Sequence, residues 1–299
     1  MLLKYKKYIK FNCYCYNFAR RNFSELFNNE TQSDMYKSRP EYNIQIVEKI
    51  ISFWTKWNKV NVNKSLTIVD VGCGTGQLTN LLTPYAKNII GIDSSNTQIK
   101  EAKSNLKDDV PKYMVGSCYD IPVSDASVDL ITAAQCVHWF DIEKFYTEID
   151  RCLCQRGVLA VLTYGKGRFI IDRSEKKVNE LNQFVTRDLW LSDEYLGTYV
   201  GNKPKWAWNF LPGLKFLYPE TGLRDESSAI EFKLTLKRYG NYLRSTSMYQ
   251  AWKKNNQDKR DFIEVSLERI LTYLGNPKSG LDTEVQINFP VCMIMCSKP

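Results

Sequence analysis

Histidine is almost missing from this chain: one residue, His138, in 299. A zinc centre needs four converging His, Cys or acidic ligands. The nine cysteines form no C-x-x-C pair, and only Cys13/Cys15 and Cys152/Cys154 stand close together. This pattern excludes a zinc finger or ribbon, and no metal is expected. Scattered cysteines in odd number, without a secretory signal, suit a reducing compartment, so a cytoplasmic protein is expected. No run reaches the roughly 18 apolar residues that a membrane span needs. Repeats and low-complexity tracts are absent, and without a heptad pattern a monomer is expected.

Acidic residues are missing from residues 1–24, which hold Lys4, Lys6, Lys7, Lys10, Arg20 and Arg21. This basic arm, residues 1–32, reads as a solvated tail, a mitochondrial targeting segment or a binder of acidic surfaces. The net charge is +8, but removing those six from the 41 basic residues leaves 35 against 33 acids. An enzyme of nucleic acid needs a basic face on its folded body. The body here is nearly neutral, so a nucleic-acid partner is not expected.

What is present is an alternation of short apolar strands and amphipathic helices. Spacing predicts a helix over Glu41–Trp57, then strands at Leu66–Val71, Asn88–Ile92, Lys112–Gly116, Val128–Ala133 and Val158–Tyr164. Helices fall between them at Gln77–Thr83, Thr97–Leu106 and from the cap Asp141 to Leu153. Such alternation means a parallel sheet of right-handed βαβ units, a doubly wound, Rossmann-like α/β fold. The alternation stops near residue 165. Residues 166–230, with Trp190, Trp206 and Trp208, read as an irregular aromatic insertion over the site, a substrate cap within one domain spanning residues 33–299. Beyond it a strand is expected at Glu231–Lys237, helices at Gly240–Lys254 and Asp261–Leu274, and a last strand at Val285–Ser297.

Val69-Asp70-Val71-Gly72-Cys73-Gly74-Thr75-Gly76 joins the first strand to a helix. Alternate glycines let the backbone turn tightly and come close to a ligand. The helix N-terminus faces the same place, at the carboxyl end of the sheet. The spacing is G-x-G-x-G, not the G-x-G-x-x-G that cradles a pyrophosphate. Asp70 would repel a pyrophosphate but suits an ammonium group. Asp93 closes the second strand, where a carboxylate can accept both hydroxyls of a ribose. A ligand with a ribose and an amino-acid tail but no phosphate is S-adenosylmethionine.

The run VDVGCGTG resembles the first motif of class I S-adenosylmethionine-dependent methyltransferases, of the type 11 kind. IGIDSS at Ile90–Ser95 is similar to their second, and Gly116–Phe140 to their third and fourth. The H-W-F element, FYTEIDRCL at Phe145–Leu153, Tyr36-x-x-Arg39-Pro40 and YLRSTSMYQ at Tyr242–Gln250 resemble the trans-aconitate and cantharidin-resistance subgroup. The resemblance covers residues 33–297. It implies a seven-stranded sheet with an antiparallel last strand, and S-adenosylmethionine as methyl donor. It further implies that Gly72, Gly74 and Gly76 hold the methionyl part and Asp93 the ribose. Ser117 and Cys118 would meet the adenine, with Gln135 at the methionyl end and Tyr36 and Arg39 as a lid. Asp70, Cys73 and Ser94 belong to the same cofactor contacts. Ser117 stands where relatives often carry an acid for the adenine amine, and Gln155-Arg156-Gly157 replaces their Pro-Gly-Gly turn.

Transfer to a carboxylate needs no base, whereas a hydroxyl or protonated amine does. His138 is a candidate for that base; alternatively it packs with Trp139 at the cleft wall. Recognition of a carboxylate favours arginine, and Arg39, Arg168, Arg173 and Arg244 are candidates, with Trp139 as an aromatic wall. A small-molecule acceptor, methylated on a carboxyl or other oxygen, leads the reading. A methyltransferase for RNA, protein or lipid and a non-catalytic cofactor-binding module remain alternatives.

Overall fold

The computed structural model describes residues 35, 37–59, 65–104, 106, 110–192 and 195–299. The basic arm and Tyr36 lie outside the described residues.

Helix α1 (Ile44–Asn58) begins where the Asn43 side chain accepts from the Ile46 N–H, and stops at Lys59 in the left-handed region. One face is apolar and buried through Ile46, Val47, Ile50, Phe53 and Trp54. Strand β1 (Leu66–Val71) follows, then α2 (Gln77–Leu82), β2 (Ala86–Asp93), α3 (Asn96–Ser104), β3 (Lys112–Val115), β4 (Val128–Ala134), α4 (Ile142–Cys152) and β5 (Leu153–Tyr164). β1 pairs in parallel with β2 on one edge and β4 on the other; β3 extends one side and β5 the other. The direction of winding reverses between β1 and β4, so a crevice opens at their carboxyl ends.

The expected antiparallel last strand is β8 (Glu284–Ser297), paired to β5 from Val158–Ser297 to Tyr164–Val291. β7 (Leu223–Thr235) runs antiparallel along the other edge of β8. A short strand, β6 (Arg168–Ile170), takes the part of β8 that β5 does not reach, giving eight strands among the described residues where seven were expected. β7 starts eight residues before the predicted Glu231 because its first half, with Asp225, Glu226 and Ser227, is polar and carries no apolar alternation.

The segment from 166 to 222 is not irregular. It holds β6, helix α5 (Glu175–Gln183), which runs on through one π turn to Leu191, and α6 (Asn202–Trp208). Phe184, Trp190, Tyr195 and Leu196 are buried there, and the Trp190 and Trp208 rings lie 5.0 Å apart. These aromatics join the apolar core that packs against the sheet and α1. The single helix predicted over Gly240–Lys254 is two, α7 (Leu236–Arg244) and α8 (Ser247–Asn255). Thr246 caps the second by accepting from the Tyr249 N–H, which breaks the run although the apolar spacing continues through it. The last helix, α9 (Phe262–Tyr273), packs against α7. Among the described residues no helix is long and apolar enough to cross a membrane.

Candidate cofactor and acceptor site

The glycine turn is shaped by backbone angles that L side chains avoid: φ is +66° at Gly72, +56° at Gly74 and +87° at Gly76. A Cβ on Gly72 would stand 2.8 Å from Cys136 Cβ, and one on Gly76 would overlap the Tyr113 hydroxyl. Two bonds fasten the turn to the end of β2. The Cys73 N–H donates to the Ile92 carbonyl and the Gly74 N–H to Asp93 Oδ2, both at 3.0 Å. Asp93 Oδ1 accepts from the Ser95 N–H at 2.8 Å. The Ser94 N–H also bonds to this carboxylate, which has about four acceptor positions, so one remains for a ribose hydroxyl. Burial raises the Asp93 pKa above the usual carboxylate range.

Asp70 is 1% exposed. Thr79 Oγ1 donates to one of its oxygens at 2.6 Å and Thr132 Oγ1 to the other at 2.7 Å. Burial outweighs these bonds and pushes its pKa up to about 6. A ligand ammonium beside it would hold it ionised.

A cavity of about 880 Å³, measured with its open mouth, occupies the crevice. It is lined by Arg39, Gly72, Gly74, Asp93, Ser94, Cys118, Gln135 and Trp139 among the residues the sequence singled out. A smaller recess adjoins it, where Asp70 and Cys73 meet Arg39 and Gln135. Gln135 is held at φ +57°. It donates to the Tyr164 carbonyl at 3.2 Å and accepts from Thr163 Oγ1 at 3.3 Å. Arg39 reaches across the chain: its Nε donates to Ser245 Oγ at 3.2 Å and its Nη2 to the Ser245 carbonyl at 3.0 Å. The break between α7 and α8 exposes those acceptors, and so brings the N-terminal arginine over the cavity.

Gly76, Ser117, His138, Arg168 and Arg244 are not on the lining of either space. Ser117 is exposed, and its Oγ accepts from the Tyr119 N–H. Arg168 sits on β6, and Arg244 is paired at 2.8 Å with Asp261, the cap of α9. Arg173 donates to the Leu274 carbonyl. The His138 ring packs tilted against that of Trp139, centroids 4.8 Å apart. Burial first, and then Lys203 and Arg39, lower its pKa to about 3, so it is neutral at physiological pH.

Several lining residues were not foreseen: Gln98, Cys136, Phe140 and Ser247. Lys203 was also missed. Its Nζ donates to the Trp139 carbonyl at 3.1 Å and lies 5.5 Å from that ring's centroid. Only the interleaving of lysine and tryptophan in KPKWAW hinted at a cationic, aromatic wall.

Residues 69–161 match the family model described as a methyltransferase domain. The chain carries a methyltransferase domain. Its cofactor is S-adenosylmethionine, and the residues present fit it: a glycine cradle a Cβ would fill, a carboxylate at the strand end with an acceptor position to spare, and a second buried carboxylate at the amino-acid end. A Dictyostelium discoideum protein provisionally named a methyltransferase is 29% identical over 287 residues, covering 92% of this chain and 96% of that one. A Saccharomyces cerevisiae protein provisionally named an S-adenosylmethionine-dependent methyltransferase is 24% identical, over 83% of this chain and 89% of that one. A solved structure from Anaeromyxobacter dehalogenans, provisionally described as a type II methyltransferase, superposes with a TM-score of 0.63 at 20% identity. It covers 87% of this chain and 97% of that one, and supports the fold.

Proposed function

We propose that this methyltransferase acts on a small-molecule anion and methylates a carboxylate oxygen. S-adenosylmethionine, when bound, supplies an electrophilic methyl carbon on a sulfonium leaving group. A carboxylate oxygen that took this methyl would become a methyl ester, and the donor would leave as S-adenosylhomocysteine. The chain's part is to align the two partners, which is worth about 7–11 kcal/mol of the barrier.

The observation that carries the reading is the place of His138, which is off the lining of both spaces and whose pKa burial lowers to about 3. A group with a pKa near 3 takes a proton from a hydroxyl or an ammonium very poorly. The same neighbours that depress it, Lys203 and Arg39, favour an anion on this side of the cavity. A carboxylate brings its own ionised lone pairs and needs no base. Trp139 and Phe140 offer it an apolar wall, and Arg39 and Lys203 the positive field. Gly72, Gly74, Asp93, Ser94, Cys118 and Gln135 hold the donor, with Asp70 at its amino end.

The test is incubation with methyl-labelled S-adenosylmethionine and a panel of small carboxylic acids. A labelled product that releases volatile methanol in mild alkali is expected. A product stable to alkali would overturn the ester and point to nitrogen, carbon or ether oxygen.

A further inference from the structure

Gln98 is 3% exposed, and among the described residues neither its Oε1 nor its Nε2 has a hydrogen-bond partner. It lies in the first turn of α3, where its backbone N–H donates to Ser95 Oγ at 3.3 Å. Gln98 is one of the residues lining the large cavity. A buried carboxamide with both ends unpaired is destabilising, and native proteins rarely keep one without a purpose.

The sheet order tells which part of the cofactor passes it. The strands run β3-β2-β1-β4, and the cavity wall follows them: Gln135 after β4, the glycine turn after β1, Asp93 at the end of β2, Gly116 and Cys118 after β3. With the amino-acid tail at Asp70 and the ribose at Asp93, the base lies toward β3. Gln98 sits between those last two strand ends. Ser117, the residue expected to take the adenine amine, is exposed, and its Oγ is already an acceptor for the Tyr119 N–H.

We infer that Gln98 is the adenine-selecting residue of this enzyme, its carboxamide pairing with the base's exocyclic amine and an adjacent ring nitrogen. A carboxamide offers one acceptor and one donor side by side, which matches adenine's adjacent donor and acceptor. The inference rests on S-adenosylmethionine being the cofactor.

The experiment is calorimetric titration with S-adenosylhomocysteine and with its analogue bearing unsubstituted purine, which lacks the 6-amine. The full-length enzyme is expected to bind the adenine form about tenfold or more tighter, because the purine form leaves the buried Oε1 unpaired. Equal affinity in the unaltered enzyme overturns the proposal without any variant. In Gln98→Met, which keeps length and removes both polar atoms, the two ligands are expected to bind equally. The melting temperature of the free protein should be unchanged or higher. A variant that weakens both ligands but preserves their ratio overturns it too, since the amide then serves the ribose or the helix. An enzyme that binds neither ligand defeats the cofactor reading itself, and so is distinguishable from failure of the Gln98 assignment.

Discussion

The two halves of the cavity are built by different means. On the cofactor side the polar groups are held by backbone and short side chains of the parallel sheet: Asp93 by the N–H groups of Gly74 and Ser95, Asp70 by Thr79 and Thr132. On the proposed acceptor side they are long cations carried by α6 and the N-terminal segment, Lys203 donating to the carbonyl of the lining residue Trp139 and Arg39 to Ser245. The first half has almost no freedom to be rebuilt. The second can change its acceptor by exchanging side chains on α6 or at the break between α7 and α8, leaving the sheet untouched.

Paired glycine substitutions test that contrast most severely. Gly76→Ala puts a Cβ at φ +87° and against the Tyr113 hydroxyl, which itself donates to Asn80 Oδ1. The left-handed backbone costs about 1–2 kcal/mol and the overlap about 1–3 more. Urea unfolding should show a loss of about 2–5 kcal/mol, with binding of S-adenosylhomocysteine abolished. Gly201→Ala, at the start of α6, meets nothing within 4 Å and has φ −71°. Its loss should stay under about 1 kcal/mol. Equal losses would end the distinction between a rigid half and an adaptable one.

Lys203→Met separates the halves functionally. It keeps the contact with Trp139 and removes the charge. The KM for an anionic acceptor is expected to rise about fivefold at low salt, and less as salt screens the site. The KM for S-adenosylmethionine should hold within about twofold. A shift in the donor's KM alone would mean that Lys203 serves the wrong half.

The same contrast explains what could be read in advance. The turn at Val69–Gly76 and the place of Asp93 were legible because the carboxyl end of a parallel sheet demands particular residue types at particular spacings, and these are local in the chain. The parallel, doubly wound sheet followed from alternation and handedness. Arg39 was found only through resemblance, because its partner Ser245 is 206 residues away. Arg244 looked like an acceptor ligand in the same late motif, but Asp261 at the start of α9 claims it. Gln98 gave no signal. A glutamine in a helix's first turn ordinarily faces water, and here its burial comes from α3 lying against β2 and β3, which no periodicity reports.

The smallest effect is the most specific to the cofactor half. Asp70 has its pKa raised to about 6 by burial in the free protein. An ammonium bound beside it favours the ionised carboxylate, so the ligand lowers that pKa and its binding releases a proton. Affinity for S-adenosylhomocysteine should therefore be level above pH 7 and weaken on acidification, by about fourfold at pH 5.5 if the bound carboxylate stays ionised there. The stability of the free protein carries the opposite sign. A raised folded-state pKa means the folded form keeps a proton that the unfolded chain releases. The contribution of Asp70 is then fully present below about pH 4 and is lost as the pH rises through 6. Asp70→Asn should flatten both curves, isolating Asp70 from Asp93, whose pKa is also raised by burial. His138, at about 3, titrates below this window and leaves the profile alone. A binding curve without slope between pH 5.5 and 7 would mean that the ammonium lies elsewhere. The glycine turn would then hold its ligand through the ribose at Asp93, with Asp70 serving only to tie β1 to α2 and β4.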